Sequence, residues 1–90
     1  MFIVAEHVIT NPNAFFEARG KIAQTPKGVK RIQSFPSVSR DRAVCLWEAE
    51  SPEKVKAFLE PLIATYSRNT YYAVDAKEAV GLPAIAGAVA

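Results

Sequence analysis

The chain has one cysteine, one histidine and one tryptophan among 90 residues. A lone Cys45 excludes an internal disulfide and fits a reducing, cytoplasmic setting. A lone His7 leaves a single side chain whose ordinary pKa lies near neutrality. Charge of either sign is sparse. The formal net charge is +2, and basic residues gather only at Lys27, Lys30 and Arg31. That is too thin for a surface that tracks phosphates, so nucleic acid is not an expected partner. Long apolar runs are missing too. Leu82 to Ala90 falls far short of the roughly 20 residues a membrane helix needs. Met1 to Ile9 is apolar but holds Glu6 and His7, and no positive segment leads into it. It reads as a strand rather than a signal peptide, and no membrane partner is expected. No glycine-rich phosphate loop, zinc-ligand spacing or nucleophile elbow occurs, and no cofactor is expected.

Apolar residues, by contrast, make up 50% of the chain. In one small domain this points to a sheet covered on both faces, or to a buried subunit interface. Two stretches 40 positions apart share one pattern. Setting Pro12 on Pro52 places Val4 on Val44, Ala5 on Cys45, His7 on Trp47 and Ile22 on Leu62. Each stretch is strand-like and is followed by a proline-led amphipathic segment. The offset implies two β-α halves related by a pseudo-twofold.

Alternating faces predict a strand over Phe2 to Ile9. Asn11 and Pro12 are a helix cap and first turn, and the helix is expected to run to about Gln24 on a stripe of Phe15, Phe16, Arg19, Ile22 and Ala23. Thr25 to Gly28 is a turn. Val29 to Phe35, extended through Ser39, is a second strand, with Pro36 marking an edge or a bulge. Arg40, Asp41 and Arg42 turn the chain into a third strand, Ala43 to Ala49. Ser51 caps a second helix with Val55, Phe58, Leu59, Leu62 and Ile63 on its apolar stripe. Pro61 predicts a kink or break there. Thr70 to Val74 is the fourth strand. Asp75 opens a short turn over Ala76 to Val80, ended by Gly81.

The order βαββαβ with right-handed crossovers gives an α+β, ferredoxin-like domain over residues 1–75. Its antiparallel sheet has order 4-1-3-2 with both helices on one face. Residues 76–90 form a tail, expected to clasp a partner subunit. One sheet face is left uncovered. It carries either Ile3, Ala5, His7, Ala43, Cys45 and Trp47, or Val4, Glu6, Val8, Val44, Leu46 and Glu48. Both sets are too apolar to face water as a contiguous patch, so a second copy is expected to cover it, giving a homodimer closed like a barrel.

The string Cys45-Leu46-Trp47-Glu48-Ala49-Glu50-Ser51-Pro52-Glu53-Lys54-Val55, followed by Phe58-Leu59-Glu60-Pro61-Leu62, resembles a signature of small bacterial dimeric α/β-barrel proteins. Tyr71 to Asp75 adds a weaker likeness. The nearest branch in motif is described as nickel-binding. The wider superfamily includes muconolactone-isomerase-like enzymes, cofactor-free monooxygenases and haem-degrading enzymes. The resemblance implies the fold, the dimer and a cleft between sheet and helices. This chain has a single histidine where the nickel-binding branch is richer, and none on its second helix, where a haem-degrading role would need one.

His7 reads as a general base or lone ligand, or as a histidine bonded to a neighbouring carboxylate or backbone group. Trp47 shares its face and would stack a ring-shaped ligand, or else pack in the core. Tyr66 and Tyr71 would line the cleft, or pack at the sheet edge. Arg31 would hold an anion, or stay solvated. A metal would draw on His7, Glu6, Glu48 and Cys45. Three functions follow. The first is a homodimeric binder, or cofactor-free enzyme, for a small aromatic or apolar ligand. The second is a nickel- or other transition-metal-binding protein. The third is a non-catalytic interaction module, including one that stacks bases on Phe35 and Trp47.

Overall fold

The computed structural model describes residues 1–22 and 24–83. Six elements follow in the order β1 (Phe2–Ile9), α1 (Pro12–Gly20), β2 (Lys30–Pro36), β3 (Arg42–Glu48), α2 (Pro52–Ile63) and β4 (Ser67–Ala73). The strands form one sheet in the order β2-β3-β1-β4, with every neighbouring pair antiparallel. This α+β arrangement is compatible with a ferredoxin-like fold.

The pseudo-twofold is visible in the central register. Ala5 lies opposite Cys45, Val4 opposite Leu46 and Glu6 opposite Val44. Of the positions matched by the sequence repeat, Ala5 and Cys45 meet directly, and Val4 and Val44 lie symmetrically on either side of them. Alternation then decides the faces. Ile3, Ala5, His7 and Ile9 are buried along β1, as are Ala43, Cys45 and Trp47 along β3. Phe15 of α1 and Val55, Leu59 and Ile63 of α2 pack on this side and complete the core. Val4, Glu6, Val8, Val44, Leu46 and Glu48 therefore belong to the open face.

Both helices start as their caps dictate. Asn11 Oδ1 accepts from the Ala14 N–H at 3.2 Å, and Ser51 Oγ from the Lys54 N–H at 3.3 Å. Pro12 and Pro52 occupy first-turn positions, where a missing N–H costs no bond. Several expectations change. Helix α1 ends at Gly20 rather than near Gln24; Lys21 caps it by donating to the carbonyls of Glu17 and Ala18. Ala23, counted in its stripe, lies outside the described residues. Helix α2 runs unbroken through Pro61. The carbonyl deprived of its partner there is that of Ala57, and Ala57 and Pro61 are both exposed, so that carbonyl is not shut away from solvent. Leu62 beside it is exposed and leaves the apolar stripe.

Strand β4 begins at Ser67, three residues before the expected Thr70. Its early residues are polar, and Ser67 is nonetheless buried. Strand β2 carries a bulge between Arg31 and Gln33. Arg31 pairs with Trp47 and Ser34 with Cys45, so both share the helix-facing side despite their odd spacing. Gln33 and Phe35 take the open side. Beyond β4, Asp75 Oδ1 accepts from the Lys77 N–H and its carbonyl from Glu78 and Ala79, a single capped turn ahead of Gly81 (φ 85°). The expected clasp falls mostly on residues 84–90, outside the described residues. Among the described residues no helix is long and apolar enough to cross a membrane.

Candidate functional site

The helix-covered face holds one polar cluster. It sits where the last residues of β1, the first of β4 and the C-terminal half of α2 converge. His7 is opposite Asn69 in the β1–β4 register, and both are on the helix side. His7 Nδ1 lies 2.6 Å from Asn69 Oδ1. Asn69 Nδ2 lies 2.7 Å from Glu60 Oε2 and 3.3 Å from the Ser67 carbonyl. Tyr71 donates its hydroxyl to the same Glu60 oxygen at 3.0 Å. Ser67 Oγ sits 2.8 Å from Asn69 Oδ1 and 3.1 Å from the Ile63 carbonyl.

These contacts fix a tautomer. The carboxylate of Glu60 and the Ser67 carbonyl only accept, so both must face the Asn69 NH₂ group. The Asn69 oxygen then faces His7. That oxygen also only accepts, so the imidazole hydrogen sits on Nδ1. In the neutral ring Nε2 is left with its lone pair. His7 is 3% exposed. Burial pushes its pKa below the usual value of 6.5, and the Arg19 charge pushes the same way, against the Asn69 hydrogen bond and the Glu60 charge. Near pH 7 the ring is therefore neutral, and Nε2 is an available base. Burial and the bond to Glu60 push the Tyr71 phenol well above its ordinary value, so it stays a donor.

His7 also borders an interior cleft between the sheet and the two helices. Phe15, Arg19 and Ile22 close one side, Leu59 and Ile63 another, and Arg31, Cys45 and Trp47 form the sheet wall. The cleft is partly open to solvent, and its free volume is only about 10 Å³. That is room for roughly one water. The Phe15 ring lies 5.4 Å from the His7 ring, tilted by 54°. The Phe58 ring meets Trp47 edge-on at 6.0 Å. Arg19 donates to Ser34 Oγ at 2.8 Å, and Ser34 Oγ lies 3.4 Å from Cys45 Sγ. Two buried N–H groups, Arg19 Nε and Trp47 Nε1, find no acceptor among the described residues. Each such orphan costs about 1–3 kcal/mol.

The structure thus brings together His7, Trp47, Arg31 and Cys45. It does not bring in the tyrosines. Tyr66 lies in a separate groove between the helices with Ala14, Glu17, Ala18, Lys21 and Leu62. Its carbonyl accepts from Thr10 and Asn11 N–H groups. Tyr71 reaches Glu60 rather than the cleft. Trp47 is 1% exposed with its ring against Phe58, so it cannot stack a base on the open sheet face, as the base-stacking form of the interaction module required. The four candidate metal ligands do not converge. His7 and Cys45 face the helices, whereas Glu6 and Glu48 belong to the open face. Among the described residues no group of three or more His, Cys, Asp or Glu side chains is placed to hold a metal ion.

Sequence reasoning missed Glu60, Asn69 and Ser67, and placed Arg19 only on a helix stripe. One signal was present: Ser67, Asn69 and Tyr71 alternate on a single strand face, polar where an apolar series would be expected. Compared with known proteins, the chain matches no family model, no curated protein and no solved structure.

Proposed function

We propose that the protein is a homodimeric small-ligand protein that acts without a cofactor, with His7 as the proton acceptor of its interior cleft. The observation that carries this reading is the chain from Glu60 through Asn69 to His7. It holds the ring in one orientation, keeps the hydrogen on Nδ1 and leaves Nε2 basic. A neutral, oriented imidazole near pH 7 is what proton abstraction beside a carbonyl requires. The small space and apolar walls suit a compact ligand with an apolar or aromatic body. Because the free space is about one water's volume, the cleft must widen to admit it.

The dimer forms through the open sheet face, closing a dimeric α/β barrel of two ferredoxin-like protomers. Val8, Phe35, Val44 and Tyr72 are all exposed on that face, and together they make a patch too apolar to leave in water. The likeness of the Cys45 to Val55 string to dimeric α/β-barrel proteins agrees with this pairing. The nickel-binding reading draws no support from the separated positions of Glu6 and Glu48.

A panel of aromatic ligands and lactones tests the proposal. Binding is followed by Trp47 fluorescence, and solvent deuterium uptake next to the ligand carbonyl by NMR. At least one compound gives a saturable response and exchanges with deuterium. His7→Gln keeps the binding and loses the exchange. Silence across the panel from a folded protein, or equal exchange by His7→Gln, overturns the proposal.

A further inference from the structure

The open face of the sheet is bounded by charges of different sign at its two ends. Arg42 and Arg68 flank Val8 in the cross-strand row at one end. Glu48 lies between Lys30 and Phe2 in the row at the other. Along β3 alone, the open-face series is Arg42, Val44, Leu46 and Glu48: basic, apolar, apolar, acidic. Turned end for end, this series complements itself. Its relief does too, since Val44 stands 43% exposed where Leu46 is 8% exposed. Among the described residues neither Arg42 nor Glu48 is in an ion pair, although Lys30 lies directly opposite Glu48. Two copies can lay this face together with strands aligned in two ways. A twofold axis running along the strands sets each row on its own copy, and gathers four arginines at one end with no carboxylate in their row. A twofold axis across the strands reverses them and sets the Arg42 end of one copy on the Glu48 end of the other.

We infer that the open face docks a second copy of this chain about an axis that crosses β3 at the level of Cys45, perpendicular to the strands, so that Arg42 of each protomer pairs with Glu48 of the partner subunit and Val44 seats on the partner's Leu46. This rests on the paired-sheet reading above and fixes its register. Arg42 and Glu48 stand three residues either side of Cys45, roughly 10 Å from the axis at about 3.4 Å per residue. A crossing angle of about 30° between packed sheets displaces the two by roughly 5 Å there, within the reach of an arginine side chain. Symmetry makes every contact twice, so one sequence supplies both halves of each pair. The same operation brings Glu6, opposite Val44 in its own sheet, near the Tyr72 hydroxyl of the partner subunit, which gives the carboxylate inside the patch a donor.

Charge reversal on the full chain tests the register, with light scattering over a range of protein concentrations as the readout and circular dichroism to confirm folding. Arg42→Glu and Glu48→Arg each set two like-charge contacts into the symmetric interface and weaken self-association at least about tenfold. The double variant, Arg42→Glu with Glu48→Arg, restores both contacts and returns to within about threefold of wild type. Mixing the two single variants, at a concentration where neither pairs with itself, yields a heterodimer that native mass spectrometry separates by mass from either homodimer. Single variants that dimerise as wild type does, a double variant no better than the singles, or a mixture without heterodimer overturns this register while leaving the paired sheets in place. An Arg42→Glu dimer tighter than wild type also overturns it, and favours the axis along the strands. A wild-type chain that is monomeric overturns both.

Discussion

Replacing Asn69 by leucine removes the link between His7 and Glu60 with little change in side-chain size. The consequences are unequal. Ser67 keeps its bond to the Ile63 carbonyl, and Glu60 keeps the Tyr71 hydroxyl. His7 Nδ1 has no other partner among the described residues, and its ring is buried. A buried donor stripped of its acceptor costs about 1–3 kcal/mol, and losing the Asn69–Glu60 bond adds about 1. The expected destabilisation is about 2–4 kcal/mol. At about 4–8 °C per kcal/mol for a domain of this size, Tm falls by at least about 8 °C. Urea unfolding at pH 7.5 and fixed protein concentration, read by Trp47 emission, measures it. The double variant His7→Leu with Asn69→Leu removes both partners. It should be more stable than the sum of the single losses by about 1–3 kcal/mol. A cost below about 0.5 kcal/mol for Asn69→Leu, or strict additivity in the cycle, would refute the claim that this chain holds His7.

Two further outcomes are expected. Because the folded pKa of His7 lies below 6.5, the unfolded chain takes up its proton first as pH falls. This contribution to stability is complete above pH about 6.5 and declines below it, down to the lowered folded value. His7→Gln should lose that slope between pH 7.5 and 5.5, whereas Asp41, lowered from 3.8 by its Ser39 and Ser37 hydrogen bonds, acts only in more acid solution. Val44→Glu puts a carboxylate into the open-face patch and should weaken the dimer at least ~100-fold by light scattering, since an unpaired buried charge costs several kcal/mol. Val38→Glu, on the fully exposed hairpin turn, should leave it intact, and a wild-type monomer would remove the paired-sheet proposal.

Much of the scaffold was legible because single residues spoke locally. Asn11 and Ser51 announce helix starts, and alternation along Phe2 to Ile9 marks a strand. The repeat that sets Ala5 on Cys45 anticipates their meeting across the sheet. The site was less legible because its order is non-local. Asn69 and Ser67 are polar and sit on the helix-facing side, affordable only because Glu60, fourth residue from the end of a helix, comes over them. Apolar patterning therefore starts β4 too late and gives Glu60 no role. The side of the sheet taken by Arg31 depends on a one-residue bulge that alternation cannot reveal. The two readings of Tyr71, cleft lining or edge packing, both miss Glu60, because nothing local in the sequence brings that carboxylate to its hydroxyl.

Nitrogen-15 NMR of the imidazole tests the central claim most directly, since the chain has one histidine and every ring signal belongs to His7. The expected spectrum at pH 7 is that of a predominantly neutral ring with its hydrogen on Nδ1 and a free lone pair on Nε2, less than half charged at pH 6.5. A ring carrying its hydrogen on Nε2, or charged at pH 7, would contradict the account.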